Sequence, residues 1–446
     1  MTTSSSKSGL EKALGIVTEV EPGEGPTAVV MTLNVFLLLA AYYFIKPVRE
    51  ALILTMPNGA EYKSYMSAAI AVLLLVAVPL YAAATNRLSR SRLVLGVTLF
   101  FASHLVLFYF ASLQEGFRQY IGLVFFAWVG IFNMMVVAQF WAFAADLYTE
   151  AQGKRLFALL GLGASLGAAI GSKVSTLLVE PLGVYQMLLV AAGLLVACAF
   201  LGQWADARES GRAEKKKDEK KDKPPEPSKD GAFKLVLTNP YLRAIAFFSL
   251  IFTCVNTNGE YMLGSLASEA AEAAGGDKKE YLSKFYGDFF FYVNTLGVLL
   301  QTFVVSRVVK KFGLPAMFMV FPLLAFADAT LIAIMPVLMV VRIGKVIENA
   351  TDYSLNNTLR NMLWLPTTRD QKYKAKQATD TFFVRMGDVA SAGVVFLATS
   401  MAWGVRGVAI VSAVMAVIWF ILARVIGKDF AKLESDKPKN EVKVTG

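Results

Sequence analysis

Along its 446 residues the chain repeats one pattern: about twenty predominantly apolar residues, a short polar break, and another apolar run. A run of that length crosses the roughly 30 Å hydrocarbon core of a bilayer as a helix, and spanning backbone must satisfy its own hydrogen bonds there. Twelve such windows fit, beginning near Val29, Tyr62, Leu93, Arg118, Leu156 and Val184, then near Pro240, Leu282, Leu314, Pro336, Gln377 and Gly404. An all-α membrane protein of twelve transmembrane helices in two six-helix halves is therefore expected. Composition agrees, with 56% of residues hydrophobic and 17% charged, against about 45–50% and 25% in soluble domains.

The two sets of six are separated by a run of different character. Lys215, Lys216, Lys217, Lys220, Lys221 and Lys223 alternate with Asp218, Glu219 and Asp222 and are closed by Pro224, Pro225 and Pro227. That composition reads as a disordered linker. The expected organisation is an N-terminal segment over 1–28, a first half over 29–204, a linker over 205–239, a second half over 240–427 and a tail over 428–446. The net charge of +10 could suggest nucleic acid, but its basic residues lie between apolar blocks and not on one folded face, so no nucleic-acid partner is expected. Two cysteines and one histidine supply no disulfide framework and no Cys/His metal cluster.

The N-terminus stays polar to about Pro26 and has no apolar core before a small-residue cleavage site, so it is not a secretory signal. Leu10, Leu14 and Val17 could line a short interfacial helix, which Gly15 and Gly23 weaken. Orientation follows from the short loops. Arg87, Arg90 and Arg92 fall after span two, Lys154 and Arg155 after span four, Arg307, Lys310 and Lys311 after span eight, and Arg369, Lys372, Lys374 and Lys376 after span ten. Both termini and the linker are thus expected in the cytoplasm. The absence of a transit peptide and the short tail favour a bacterial inner membrane over an organelle.

The halves echo one another, as in carriers built from parallel repeats. Asn86-Arg87-Leu88-Ser89-Arg90 after span two and Ser306-Arg307-Val308-Val309-Lys310-Lys311 after span eight occupy equivalent places. Both resemble the acidic-Arg-x-Gly-Arg loop of the major facilitator superfamily, with Asn86 or Ser306 in place of the acid and Ser89 or Val309 in place of the glycine. Inside-positive anchoring explains each basic turn equally well. Gly163, Gly167 and Gly171 recur every four residues on span five. A phosphate-cradling loop would need a strand before it, so the stripe is read as close helix packing.

Function should lie in the polar groups the membrane tolerates, since a central Lys, Arg or Asp costs about 2.5–3.5 kcal/mol on insertion scales. On span ten, Lys345, Glu348, Asn349, Asp352, Asn356 and Arg360 fall on one helical face. That stripe lines a pathway, or else forms a network in which Glu348 and Asp352 neutralise Lys345 and Arg360. Tyr42, Lys46 and Arg49 share a face of span one, with a headgroup-level position for Lys46, Arg49 and Glu50 as the alternative. Asn256 and Glu260 lie one turn apart on span seven, Arg385 and Asp388 adjoin on span eleven, and Lys173 stands unaccompanied on span five. Paired acids would leave the cavity positive. A positive cavity selects an anion, and the Arg fork favours carboxylate or phosphate. It also favours exchange, because an empty carrier would have to occlude unpaired cations.

The stretches Phe44-Ile45-Lys46-Pro47-Val48-Arg49-Glu50-Ala51-Leu52-Ile53-Leu54, Gly59-Ala60-Glu61, Phe140-Trp141-Ala142-Phe143-Ala144, Lys345 through Ala350-Thr351-Asp352-Tyr353-Ser354-Leu355 to Arg360-Asn361-Met362, and Leu365-Pro366 resemble the ATP/ADP translocases of plastids and intracellular bacteria. The resemblance runs from span one to span eleven and implies nucleotide exchange. It also implies roles for a span-one lysine, glutamates in spans four and seven, and a span-ten lysine. Arg49 takes the first place, Glu260 the span-seven place and Arg360 the last, while no acid stands between Gln119 and Gln139 for span four. These departures bear on the substrate, and another phosphorylated or carboxylated anion is the alternative to nucleotides.

Lys46, Arg49, Glu260, Lys345, Asn349, Asp352, Asn356, Arg360 and Arg385 are accordingly the candidate substrate-binding residues. Tyr42, Tyr353, Asn349 and Asn356 could meet an adenine. Glu260, Asp352 and Asp388 are candidate proton carriers if transport is proton-driven. His104 is read as bonded to a neighbouring helix, and Cys198 and Cys254 as inert filler. The expected partners are a small anion and the lipid bilayer, the transport unit is monomeric, and no cofactor is called for. No nucleophile–base pair or soluble catalytic domain suggests an enzyme; a non-transporting membrane sensor is the other alternative.

Overall fold

The computed structural model describes residues 7–15, 18–85, 90–213, 232–368 and 371–435, and every regular element among them is helical. The helices group into twelve successive spans. The first six are Gly25–Leu54, Gly59–Thr85, Arg90–Ser112, Ile121–Leu147, Glu150–Leu182 and Gln186–Ala213. Spans seven to nine are Pro240–Ala274, Lys278–Met317 and Val320–Ile334. Span ten is Leu338–Thr351 continued through Asp352–Asn356 and Asn357–Met362, span eleven occupies 371–400, and span twelve is Gly404–Ser435. Nine helices among the described residues are long and apolar enough to cross a membrane.

Local chemistry sets the boundaries. Span seven starts at Pro240, a residue with no N–H to strand at the first helical position. The Asn239 side chain before it accepts from the Tyr241 and Leu242 N–H groups. Span five starts with a capping box between Thr149 and Gln152 and stops at Gly183, whose φ of 93° only glycine holds without strain. The basic stretch Ser306–Lys311, expected as a loop, is helical instead. The helix meets no breaker until Gly313, at φ 75°.

The first basic turn, 86–89, lies outside the described residues, as do 214–231 of the linker and the tail beyond 435. Residues 205–213 continue the helix of span six, and Ala232–Thr238 forms a helix of its own. The N-terminal helix is Gly9–Leu14, closed by a Ser8–Glu11 capping box. It buries Glu11, whose carboxylate is held below its usual range by the Ser8 and Gly23 N–H groups, while Leu10 is exposed.

Two compact units are present. The first comprises 1–59, 72–222 and 271–294. Here the small-residue stripe acts as expected: Gly163 meets Thr32, Gly167 meets Phe36 and Gly171 meets Ala40, bringing span five onto the backbone of span one. Phe101, Phe125, Trp128 and Phe132 form an aromatic stack beside it. Glu24, before span one, accepts both arms of Arg155 at 3.0 and 3.1 Å, the Gln152 amide at 3.0 Å and the Glu21 N–H at 2.9 Å. Burial opposes its ionisation, but these donors outweigh that and hold its carboxyl below the usual range.

The second unit comprises 60–71, 223–270 and 295–446. Its core centres on Trp419, Phe248, Phe252 and Phe321. Asn258, fully buried, donates to Ser412 at 3.1 Å and accepts from Ser391 at 2.7 Å, tying spans seven, eleven and twelve together.

Candidate functional site

In the first unit the candidate cations stand on span one. Lys46 places its ammonium 4.0 Å from the centre of the Phe290 ring, with Tyr43 at 5.4 Å and Tyr42 at 5.8 Å. This is an aromatic cage for a charge, and Tyr42, one turn before Lys46, shares its face as expected. Arg49 turns to its neighbour Glu50 and lies over the Phe126 ring at 4.6 Å. Glu50 is fully buried, so this pair sits among helices.

Span five supplies a correction. Lys173 is not unaccompanied, since its ammonium lies 2.9 Å from Asp288 of span eight. Beside it Tyr43 donates to Asn294, and Asn294 donates to Ser172. His104 differs as well: its Nδ1 lies 2.7 Å from the Phe100 carbonyl of its own helix, not of a neighbour. A partly exposed histidine has its own preceding turn as the nearest acceptor.

In the second unit the span-ten stripe divides into separate groups. Lys345 is completely buried and donates to Asn256 Oδ1 at 2.8 Å and to Glu348 at 3.1 Å. Glycine at 259 makes room for it, since a Cβ there would lie 2.9 Å from its stem. Glu260 accepts from Lys63 at 3.0 Å and from the Asn349 amide at 3.2 Å. Asn349 thus belongs to the Glu260 group, and Asn256 is brought to Lys345.

From Asp352 to Asn356 the helix widens to the π form. Such a bulge turns later side chains away from the expected face, and it is a frequent mark of functional helices. Asp352 accepts from Asn356 at 2.7 Å. Arg360, beyond the bulge, pairs at 3.0 Å with Asp380 of span eleven, which also holds Lys376. Glu348 therefore accompanies Lys345 as the network reading required, whereas the salt-bridge partner of Arg360 is Asp380 and not Asp352. Arg385 and Asp388 pair at 3.0 Å, and Asp388 accepts from Thr257 at 2.9 Å. Span four also contains a π segment, Asn133–Val137, so spans four and ten, six apart, share this irregularity.

Sequence reasoning passed over Asp288, Asp328 and Asp380, and over Lys63 as a partner for Glu260. Asp288 and Asp328 stood beside or within apolar runs where their cost demanded an explanation, so for these two the signal was present; Asp380 stands among polar residues and gave none. Among the described residues no group of three His, Cys, Asp or Glu side chains could hold a metal ion.

The chemistry of both units is that of charges held inside helical spans. Comparison with known proteins gives it a family: the model of the Major Facilitator Superfamily matches residues 29–347. The chain belongs to this superfamily. It is a multi-pass membrane transporter, and neither the superfamily nor the solved structures it resembles are enzymes. Among curated proteins it is similar to ADP,ATP carrier protein 1 of Chlamydia pneumoniae, 25% identical over 67% of this chain and 65% of that one. It is likewise similar to ADP,ATP carrier protein 1 of Chlamydia muridarum, 25% identical over 93% of this chain and 90% of that one. Of the superfamily's solved structures, a POT family transporter in complex with a thioalcohol-conjugated peptide covers 92% of this chain and 96% of its own. It does so at TM-score 0.62 and 13% identity, a likeness of fold.

Proposed function

We propose that this superfamily member exchanges nucleotides across the membrane, ATP against ADP, by alternating access. The observation that carries the reading is the similarity to ADP,ATP carriers along nine tenths of the chain. The residues are compatible with it. Lys46 and Arg49 on span one, and Lys345 and Arg360 on span ten, are cations that a polyphosphate could attract. The rings around Lys46 offer faces for a base. Each of these cations has acidic or aromatic company, which an incoming anion would displace or share. A carrier that must otherwise occlude such charges moves more readily when loaded, which favours exchange over uniport.

The absent span-four carboxylate and the arginines at 49 and 360 set the expected preference. Bidentate guanidinium contacts suit planar oxyanions, so a phosphate chain is read as the main recognition element and the base as the lesser one. The membrane proposed is a bacterial inner membrane with both termini cytoplasmic, on the strength of the basic even-numbered loops, and the transport unit is a monomer. Competition against labelled ATP uptake tests the substrate class. ADP and other nucleoside di- and triphosphates should compete, whereas a dicarboxylate and inorganic phosphate should not. Competition by a dicarboxylate alone would replace this reading by carriage of another organic anion.

A further inference from the structure

Span nine holds a carboxylate that the reading above leaves unused. Asp328 is 8% exposed, and it accepts no hydrogen bond from any described residue. Its carboxylate rests against Gly344 of span ten, where an added Cβ would lie 1.7 Å from Oδ1. The adjacent Lys345 is the ammonium that Glu348 and Asn256 already occupy. The carboxylate of Asp328 thus touches the residue that precedes a buried cation, whose ion-pair partner is Glu348, with Asp352 one turn further on.

A second observation points into the same place. A cavity of about 20 Å3 is lined by Asn256 and Glu348, the two groups that hold Lys345, by Asp352, and by Ala325, one turn before Asp328, with Phe252, Phe321 and Trp419 completing it. That volume admits about one water. The indole N–H of Trp419 has no acceptor among the described residues. The ionisable groups facing the cluster are Lys345, Glu348 and Asp352 from span ten, Arg360 further along span ten, which acts on Asp352 and is held by Asp380, and Glu260 from span seven, which Lys63 holds; span twelve contributes Trp419, which does not titrate.

We propose that Asp328 is a proton-binding site that controls the pairing of Lys345. An ionised carboxylate with no hydrogen bond is strongly disfavoured in such surroundings, and neutralises by taking a proton. The step is simple addition: the carboxylate takes one proton from hydronium, which is left as water, and becomes a carboxylic acid. With Asp328 protonated, Lys345 belongs to Glu348 alone and the cluster is one charge more positive. With Asp328 ionised, Lys345 is shared, and Glu348 faces the cavity with its charge less compensated. Acid therefore raises affinity for an anion. This last consequence rests on the nucleotide-exchange reading; the proton site itself does not.

Infrared titration of the purified full-length protein in lipid nanodiscs separates the two. Wild type is expected to show a protonated-carboxyl band that disappears as pH rises, and Asp328→Asn, folded by its thermal melt, to lack it. Identical titrations of the two proteins would overturn the proposal. Should Asp328→Asn fail to fold, Glu348→Gln serves instead. It leaves Lys345 to Asp328 and must shift the band's transition to lower pH, and an unmoved transition would overturn the proposal. In proteoliposomes with equal pH on both sides, the KM for ATP in ATP/ATP exchange should rise roughly five- to tenfold from mildly acid to mildly alkaline pH. It should stay flat in Asp328→Asn, and parallel profiles would remove the coupling. If no nucleotide is carried, the infrared result still decides the proton site.

Discussion

Gly167→Ala tests the packing of span five on span one. A Cβ at 167 would lie 2.2 Å from the Phe36 carbonyl oxygen and 2.8 Å from its Cα. Ordinary contact begins near 3.4 Å, and the obstructing atoms are backbone. No rotamer can relieve the clash, so the helices must part by about an ångström, and the seats at Gly163 and Gly171 loosen with it. Overpacking of this kind costs about 1–3 kcal/mol, and in a bilayer no hydrophobic force between helices offsets it.

The control lies six residues away. Gly161 has nothing within 4 Å of a built Cβ, so Gly161→Ala should gain up to about 1 kcal/mol from helix propensity alone. The propensity gain is common to both alanines, identical in chemistry and on one helix, so the two should differ by the overpacking cost, roughly 1–3 kcal/mol. Reversible unfolding in mixed detergent micelles measures the difference. Equal stabilities would show that the spans do not approach this closely.

Three further outcomes are expected. Glu24 is held ionised in the fold, so its contribution is present above the usual glutamate pKa and is lost as pH falls through the lower folded value. Glu24→Gln should therefore cost about 1.5–3 kcal/mol at neutral pH, and the gap from wild type should shrink in acid; thermal melts at the two pH values check this. Asn258→Ala should destabilise by about 1–3 kcal/mol by stranding the Ser391 and Ser412 hydroxyls, measured by denaturant titration. Lys173→Ala and Asp288→Ala should each have a small effect, under about 1 kcal/mol because the pair is partly exposed. The double variant should be less destabilised than the two effects added, and strict additivity would deny the contact.

Much of the fold was legible because the bilayer restricts the choices. Length and hydropathy sufficed to place twelve helical spans, and the glycine spacing on span five pointed to its seat. Helix ends were less visible: the basic stretch after span eight reads as a loop by charge, yet only Gly313 could stop the helix. Within the site, the Lys345–Glu348 pair was readable, being three residues apart on one helix. Partners from other helices were not. Asp380 for Arg360, Asp288 for Lys173 and Lys63 for Glu260 depend on tertiary approach, which periodicity does not encode. The π segment at Asp352–Asn356 hid the rest, because a 100° rule assumes an unbroken α-helix.

The central claim is nucleotide exchange, and its most direct measurement is labelled ATP uptake into proteoliposomes with and without internal ADP. Uptake should be fast into ADP-loaded vesicles and near background into empty ones. Arg360→Ala should lower it by tenfold or more, since a hydrogen bond to a charged group contributes about 1.5–3 kcal/mol. Equal uptake into loaded and empty vesicles would contradict exchange, and no uptake by folded protein would contradict the nucleotide itself.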